Sequence, residues 1–341
     1  MDSRRRFLKA AGAGLSCAAI SLRAGAASTA NAAIIPFSGN HTMPRNMKLL
    51  SIKNADAGET LGVVTDKGVI DVRAACITLG MQAPLTLDTL LQEGNAEGLE
   101  KLTAKALSSG TALLEEGMIE HGRLFAKPGK IICVGLNYRQ HAMEIGMPAP
   151  RVPPLFNKYN NALAGHKSVI TLPGKDIATK FDYETELLIV IGKQARSVSE
   201  ADALNYVAGY CTSNDFSARD LQLELPAGQW MIGKTLDNFA PIGPYFVSAD
   251  LVGDPNNLKL ETWVNGELRQ SSNTNDFIFN TQQMISYISK HWTLEPGDII
   301  FTGTPQGVIA GHPKDKQVWL KAGDEVMSSI EKLGTLKFRL A

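Results

Sequence analysis

Glu184 and Glu186 stand one residue apart, directly ahead of the apolar run Leu187-Leu188-Ile189-Val190-Ile191. In an extended strand, residues i and i+2 point to the same face. The spacing therefore predicts two carboxylates converging at the mouth of an otherwise buried strand. Two such anions repel and shift towards protonation unless a cation lies between them, and a hard divalent ion with oxygen ligands removes the conflict. The ordinary alternative for an isolated Glu-x-Glu is an exposed strand end with a solvated acidic face. A second acidic cluster, Asn214-Asp215-Phe216-Ser217-Ala218-Arg219-Asp220-Leu221-Gln222, ends another apolar stretch, Tyr206 to Cys211. Asp215 offers a third oxygen, and three carboxylates with waters suit Mg2+, Mn2+ or Ca2+ rather than zinc.

His141 and Glu144 lie three residues apart. On a helix they share a face, where the carboxylate orients the imidazole and stabilises its protonated form, the arrangement of a general base. By composition alone such a pair is more often a surface contact. Lys234, in Ile232-Gly233-Lys234-Thr235, follows a Pro/Gly-rich turn. It presents an ammonium to an anionic substrate or a developing enolate, or it is one solvated lysine among many. Arg219 and Asp220 lie near Asp215 in the chain, either fixing ligand carboxylates or forming a plain ion pair. Asp182, on the same strand face as the glutamates, is read as a supporting residue. The phrase Thr302-Gly303-Thr304-Pro305-Gln306-Gly307 lacks the Gly-Lys-Ser/Thr ending of a phosphate loop and no helix follows it. A nucleotide site is not expected there, and a Gly/Pro turn after Ile299-Ile300-Phe301 is.

Taken in order, Gly135-Leu136-Asn137-Tyr138-Arg139-Gln140-His141, Phe156-Asn157-Lys158, Tyr183-Glu184-Thr185-Glu186-Leu187, Asn214 to Asp220, Ile232-Gly233-Lys234 and Thr302-Gly303-Thr304-Pro305 form a specific series. The chain resembles the fumarylacetoacetate hydrolase family, whose C-terminal catalytic domain it matches from about Lys130 to the last residue. The resemblance implies Glu184, Glu186 and Asp215 as metal ligands. It implies His141 and Glu144 on a mobile lid above the metal, with Lys234 as the third catalytic group. Arg139, Lys158, Gln222 and Thr304 become substrate contacts, and Arg219 and Asp220 supports for the ligands. One departure matters: founding members carry an aspartate ligand a few residues before the lid histidine, where this chain has Val134. The site resembles the three-carboxylate branch, which includes acylpyruvate hydrolases, oxaloacetate decarboxylases, ureidoglycolate-lyase-like proteins and hydroxyhepta-diene-dioate isomerases. A homodimer is expected, and the long loop Gly311 to Gln317 either shapes the pocket or makes a dimer contact.

The elements that position these groups follow from the rest of the chain. Its 341 residues are 44% hydrophobic and 20% charged, a globular composition. With 34 basic and 34 acidic residues and no Lys/Arg stripe interleaved with aromatics, nucleic acid and acidic membranes are poor partners, and a small oxo-acid substrate is expected. Residues 1–32 read as a twin-arginine export signal. Ser3-Arg4-Arg5-Arg6-Phe7-Leu8-Lys9 precedes an apolar stretch, Ala10 to Ile20, too short to span a bilayer, and Ala30-Asn31-Ala32 offers a cleavage site. Export through the twin-arginine machinery to the periplasm is the expectation. Beyond the signal, Cys76, Cys133 and Cys211 have no CxxC spacing, which argues for buried thiols rather than disulfides or zinc.

A small N-terminal α/β domain is expected over 46–127. Its short strands include a hairpin turning at Asp66-Lys67-Gly68, and Leu87, Leu90, Leu91, Leu99, Leu102 and Ala106 recur at helical spacing. From 130 to 341 strand-like runs dominate. Only Ser199 to Asn205 and Asn280 to Lys290 look helical, which predicts an α+β, β-rich fold built on a mixed β-roll rather than a doubly wound sheet. The expected activity is metal-dependent hydrolysis of a C–C bond in a 2,4-dioxo acid such as an acylpyruvate, with water activated by His141. The rivals are decarboxylation or enol–keto isomerisation on the same fold, and a periplasmic oxo-acid binding protein without turnover.

Overall fold

The run Thr185–Ile191 is a strand buried along its whole length, and its alternation is resolved by two different apolar clusters. Leu188 and Val190 pack with Leu87, Leu90 and Leu99, while Leu187, Ile189 and Ile191 pack with Met284, Ile285 and Ile288. Each buried aliphatic side chain contributes about 1.5–3 kcal/mol, so a sheet covered on both faces tolerates a continuous apolar strand. The computed structural model describes residues 41–56, 58–225 and 228–341. The expected export signal and its cleavage site lie outside the described residues.

Among those residues the main sheet has eleven strands. Its order runs Leu113–Leu114, Gly68–Asp71, Gly58–Thr65, Lys48–Asn54, Ala240–Ser248, Val207–Asn214, Thr185–Ile191, Ile299–Phe301, Ile131–Val134, Leu155–Asn157, with Leu163–Ala164 beside Ala240–Ser248. It is mixed: Ile299–Phe301 pairs in parallel with Ile131–Val134, and most other pairs are antiparallel. Lys48 pairs with Val247, so the N-terminal strands extend the sheet that carries the glutamates. A second, five-stranded sheet joins Glu267–Asn273, Lys259–Val264, Glu325–Ile330, Gly334–Leu340 and Ser168–Ile170. The fold is the expected α+β, sheet-rich one with few helices.

Local signals explain most elements. Asp66-Lys67-Gly68 turns the expected hairpin, but the strand after it stops at Asp71. There the Asp71 carboxylate accepts the Ala74 N–H and starts the helix Val72–Leu79. Leu87–Glu93 and Ala96–Ser109 follow as expected, ending on Gly94 and Gly110 in left-handed conformation. Asn280 and Gln283 close a capping box on the helix Thr281–His291. The helix expected over Ser199–Asn205 does not form. Ser199 Oγ donates to Asp202 and the chain turns, leaving one 3-10 turn, Ala203–Tyr206. Cys133 and Cys211 are buried free thiols and Cys76 is a half-buried one.

His166, only 9% exposed, lies edge-on to His121 with ring centroids 4.7 Å apart, and its Nδ1 accepts the Lys337 N–H at 3.2 Å. Burial, then the neighbouring His121, Lys167 and Lys337, push its pKa down to about 3. An unfolded histidine titrates near 6.5, so below that pH the unfolded chain binds a proton that the native one refuses, and stability falls towards about pH 3. The urea midpoint is expected to drop between about pH 7 and about pH 5, and His166→Phe to flatten that dependence. An unchanged slope in the variant would assign the loss to other groups.

Candidate active site

Strand register does the positioning. Thr185–Ile191 runs antiparallel to Val207–Asn214 with Thr185 opposite Asn214, and the Asp215 N–H continues the ladder by donating to the Glu184 carbonyl at 2.8 Å. Asp215 thus lands beside Glu184. Oxygens of Glu184, Glu186 and Asp215 lie within 4.8 Å of one another, and the three residues are 6%, 2% and 1% exposed. The solvated strand end is excluded.

Two of the three carboxylates are neutralised by the protein. Glu184 Oε1 lies 2.6 Å from Arg219 Nη1 and its Oε2 2.6 Å from Lys234 Nζ. Asp215 takes Lys234 at 3.0 Å on Oδ2, and Lys158 Nζ makes an ion-pair contact with its Oδ1 at 2.6 Å. No salt bridge reaches Glu186 among the described residues; its Oε2 accepts only the Gly303 N–H, at 2.7 Å. Burial, then the charges of Asp215 and Glu184, push the Glu186 carboxyl well above the usual carboxylate range. Glu184 goes the other way: burial raises it, but Lys234 and Arg219 outweigh burial and hold it below its ordinary value. Burial works to lower the Lys234 ammonium, yet Asp215 and Glu184 keep it above the ordinary lysine value. With Asp182 included, four carboxylates share three cations, Lys158, Arg219 and Lys234, and the deficit falls on Glu186. An all-oxygen, buried donor set with one uncompensated negative charge fits a hard divalent cation.

The helix Arg139–Glu144 carries the expected base. Asn137 anchors its start, donating to the Thr302 carbonyl at 2.8 Å and accepting the Phe279 N–H at 2.8 Å. His141 Nδ1 lies 3.1 Å from Glu144 Oε2, and the same carboxylate accepts the Gly307 N–H at 3.0 and 3.2 Å. Glu144 therefore ties the imidazole to the turn after Phe301. That turn needs glycine: Gly303 and Gly307 have φ of 94° and 97°, and a Cβ would come within 2.8 Å of Asn137 Cβ and 2.3 Å of the Arg269 carbonyl respectively.

His141, Glu184, Glu186, Asp215 and Gly303 line one cavity of about 280 Å³, together with Arg219, Gln222, Lys234 and Thr304. A larger groove of about 680 Å³ follows the edge strand Leu155–Asn157, but no acidic cluster lines it. Gln222 Oε1 accepts from Arg219 Nη1 at 2.8 Å, and Arg219 Nη2 is buried without a partner. The Thr304 hydroxyl donates to the Thr185 carbonyl at 3.0 Å. Four expected site residues, Glu144 among them, are not part of the cavity lining. Lys158 reaches Asp215 from behind and donates to the carbonyls of Lys234 and Phe239. Arg139 is exposed on its helix, 3.4 Å from the Asn275 carbonyl, and Asp220 accepts the Thr179 N–H at 2.6 Å.

Asp182, read only as support, accepts from Arg219 Nε at 2.8 Å and from the Ile309 and Ala310 N–H groups, holding the turn against the acidic strand. Gln270 was not anticipated: its amide donates to Thr304 Oγ1 and the Pro305 carbonyl, both at 2.9 Å. Nor was Trp230, which packs edge-to-face on Phe156 with centroids 5.7 Å apart. Nothing in local sequence marks either one, since both act across long chain separations.

The model of the fumarylacetoacetate (FAA) hydrolase C-terminal family matches residues 130–341. The mitochondrial oxaloacetate tautomerase FAHD2A of Bos taurus is 40% identical over 295 residues, covering 86% of this chain and 91% of its own, and the Homo sapiens protein is 38% identical over the same span. Among solved structures, fumarylacetoacetate hydrolase from Exiguobacterium antarcticum is 32% identical with a TM-score of 0.72, covering 86% of this chain and 99% of its own. Maleylpyruvate hydrolase from Sphingobium sp. SYK-6, in complex with manganese(II) ion and pyruvate, is 29% identical with a TM-score of 0.68, covering 86% and 98%. The expected periplasmic address is corrected by these relatives: the two tautomerases, matched over 91% of their length, are named as mitochondrial proteins, and nothing found supports a twin-arginine signal. No helix among the described residues is long and apolar enough to cross a membrane.

Proposed function

The chain belongs to the fumarylacetoacetate hydrolase family of enzymes, and on that premise we propose that it interconverts the enol and keto forms of a 2-oxo acid. The observation that carries this reading is a matched pair of deficits in one cavity. Among the described residues no cation pairs the buried Glu186 carboxyl, and Arg219 Nη2 is a buried donor without an acceptor. A divalent cation would answer the first deficit and a substrate carboxylate the second. Glu184, Glu186 and Asp215 would hold the divalent ion, whose chemistry is to polarise the 2-oxo group and so acidify the neighbouring C–H. Arg219 and Gln222 bind the carboxylate, and Lys234 adds a fixed positive charge beside the oxo oxygen. His141 moves the proton: Glu144 engages Nδ1, which leaves Nε2 as its working nitrogen.

Hydrolysis of a 2,4-dioxo acid, the activity first expected from the sequence, uses the same groups plus a water and stays as the second reading. The similarity to a maleylpyruvate hydrolase supports it. Tautomerisation is preferred because the relatives matched along most of their length carry that name. The deciding experiment follows the ultraviolet decay of enol-oxaloacetate beside pyruvate release from maleylpyruvate and oxaloacetate, with Mg2+ or Mn2+. Accelerated enol decay without pyruvate is expected. Pyruvate release with enol decay at the uncatalysed rate would replace tautomerisation by C–C cleavage.

A further inference from the structure

Apart from the acidic residues, their cations, His141 and Gln222, the cavity wall is largely apolar, with Val134, Leu136, Ile145, Met147, Leu223 and Trp230 prominent. Met147 and Leu223 are 51% and 58% exposed, so this wall continues to the mouth. Trp230 is held in place by its edge-to-face contact with Phe156 and by Gly135, where a Cβ would come within 2.3 Å of the indole.

The polar groups around the wall are already engaged. The N–H of Gly303 is taken by Glu186, that of Gly307 by Glu144, and those of Ile309 and Ala310 by Asp182. Thr304 donates to a backbone carbonyl, Lys234 is shared by two carboxylates, and His141 is held by Glu144. Arg219 sits 2.6 Å from Glu184, which places its free Nη2 near the chelating end of the substrate. Beyond Arg219, Lys234 and His141 the cavity lining holds no basic side chain for the far end, only apolar groups and the Trp230 indole. A second carboxylate there loses its water and meets no cation, whereas an apolar group gains by leaving water.

Resting on the oxo-acid reading of this site, we propose that the substrate carries an uncharged apolar or aryl group beyond C3, seated against Trp230 and Leu223. Oxaloacetate, for which several relatives are named, ends instead in a second carboxylate.

The test compares phenylpyruvate with oxaloacetate on the Mg2+-loaded protein, by calorimetric binding and by enol decay. Phenylpyruvate is expected to bind about tenfold tighter or more, and Trp230→Ala to weaken it by about 10- to 100-fold while changing oxaloacetate by less than about threefold. Leu223→Lys, at a half-exposed position where folding is safe, supplies the missing cation and is expected to tighten oxaloacetate about tenfold. Oxaloacetate binding as tightly as phenylpyruvate in the unaltered protein, or equal losses for both in Trp230→Ala, would overturn the proposal. The predicted binding order with no enol conversion would uphold the apolar seat and remove the tautomerase reading. Fast enol conversion with oxaloacetate preferred would do the reverse, and binding of neither compound overturns both.

Discussion

Glu186→Gln is expected to make the metal-free protein more stable while cutting its affinity for Mn2+ by about a hundredfold or more. The two effects share one cause. Glu186 is buried, accepts a single N–H from Gly303, and faces Asp215 and Glu184 without a salt bridge of its own. The amide keeps the shape and removes a carboxyl whose ionised form is penalised by burial and by Asp215 and Glu184, an exchange worth about 1–3 kcal/mol in favour of the folded state. It also takes away the ligand oxygen that no protein cation competes for. Glu184→Gln should act oppositely on stability, because it takes one of two carboxylates from both Arg219 and Lys234, each 2.6 Å from that carboxylate and left with Asp182 and Asp215 respectively. Thermal melts with and without Mn2+, beside a calorimetric titration, separate the outcomes. A destabilised Glu186→Gln, or one that binds Mn2+ with the affinity of the unaltered protein, would remove Glu186 from the ion site.

His141→Gln is expected to lower kcat for enol–keto conversion by about two to four orders of magnitude, the usual worth of a positioned base, with Mn2+ and oxo-acid affinities unchanged. The side chain is part-buried, lines the cavity and contacts neither the three carboxylates nor their cations in any hydrogen bond of the described residues. Glu144→Gln tests the orientation separately. It keeps a hydrogen-bonding side chain beside the Gly307 N–H but replaces the carboxylate that holds His141 Nδ1, so a smaller loss in kcat is expected. Parallel losses of ion binding and turnover in His141→Gln would show that the histidine supports the ion rather than moving the proton.

Much of the site was readable because its logic is local. Glu184 and Glu186 share a strand face by the period of two, and His141 and Glu144 share a helix face by the spacing of three. The alternation of Thr185–Ile191, the hairpin at Asp66-Lys67-Gly68 and the capped helix Thr281–His291 follow from the same short-range rules. The failures are equally local in origin. Ser199–Asn205 has helical composition, but the Ser199–Asp202 side-chain contact competes with the helix, and Asp71 ends a strand by capping the helix after it.

The sequence by itself determined the residue types of the site: three carboxylates, a His–Glu pair and a lysine, on a sheet-rich frame. Only the tertiary structure decided how their charges are shared. Lys158 stands behind Asp215 rather than in the cavity, Arg139 faces solvent, and of the three clustered carboxylates Glu186 has no counter-ion among the described residues. Burial and pairing depend on strands distant in the chain: Ala240–Ser248 against Val207–Asn214, and Ile299–Phe301 against Thr185–Ile191. Spacing along a strand says which side chains point the same way. How deeply they lie and what stands opposite is set by the register of strands that no local pattern connects.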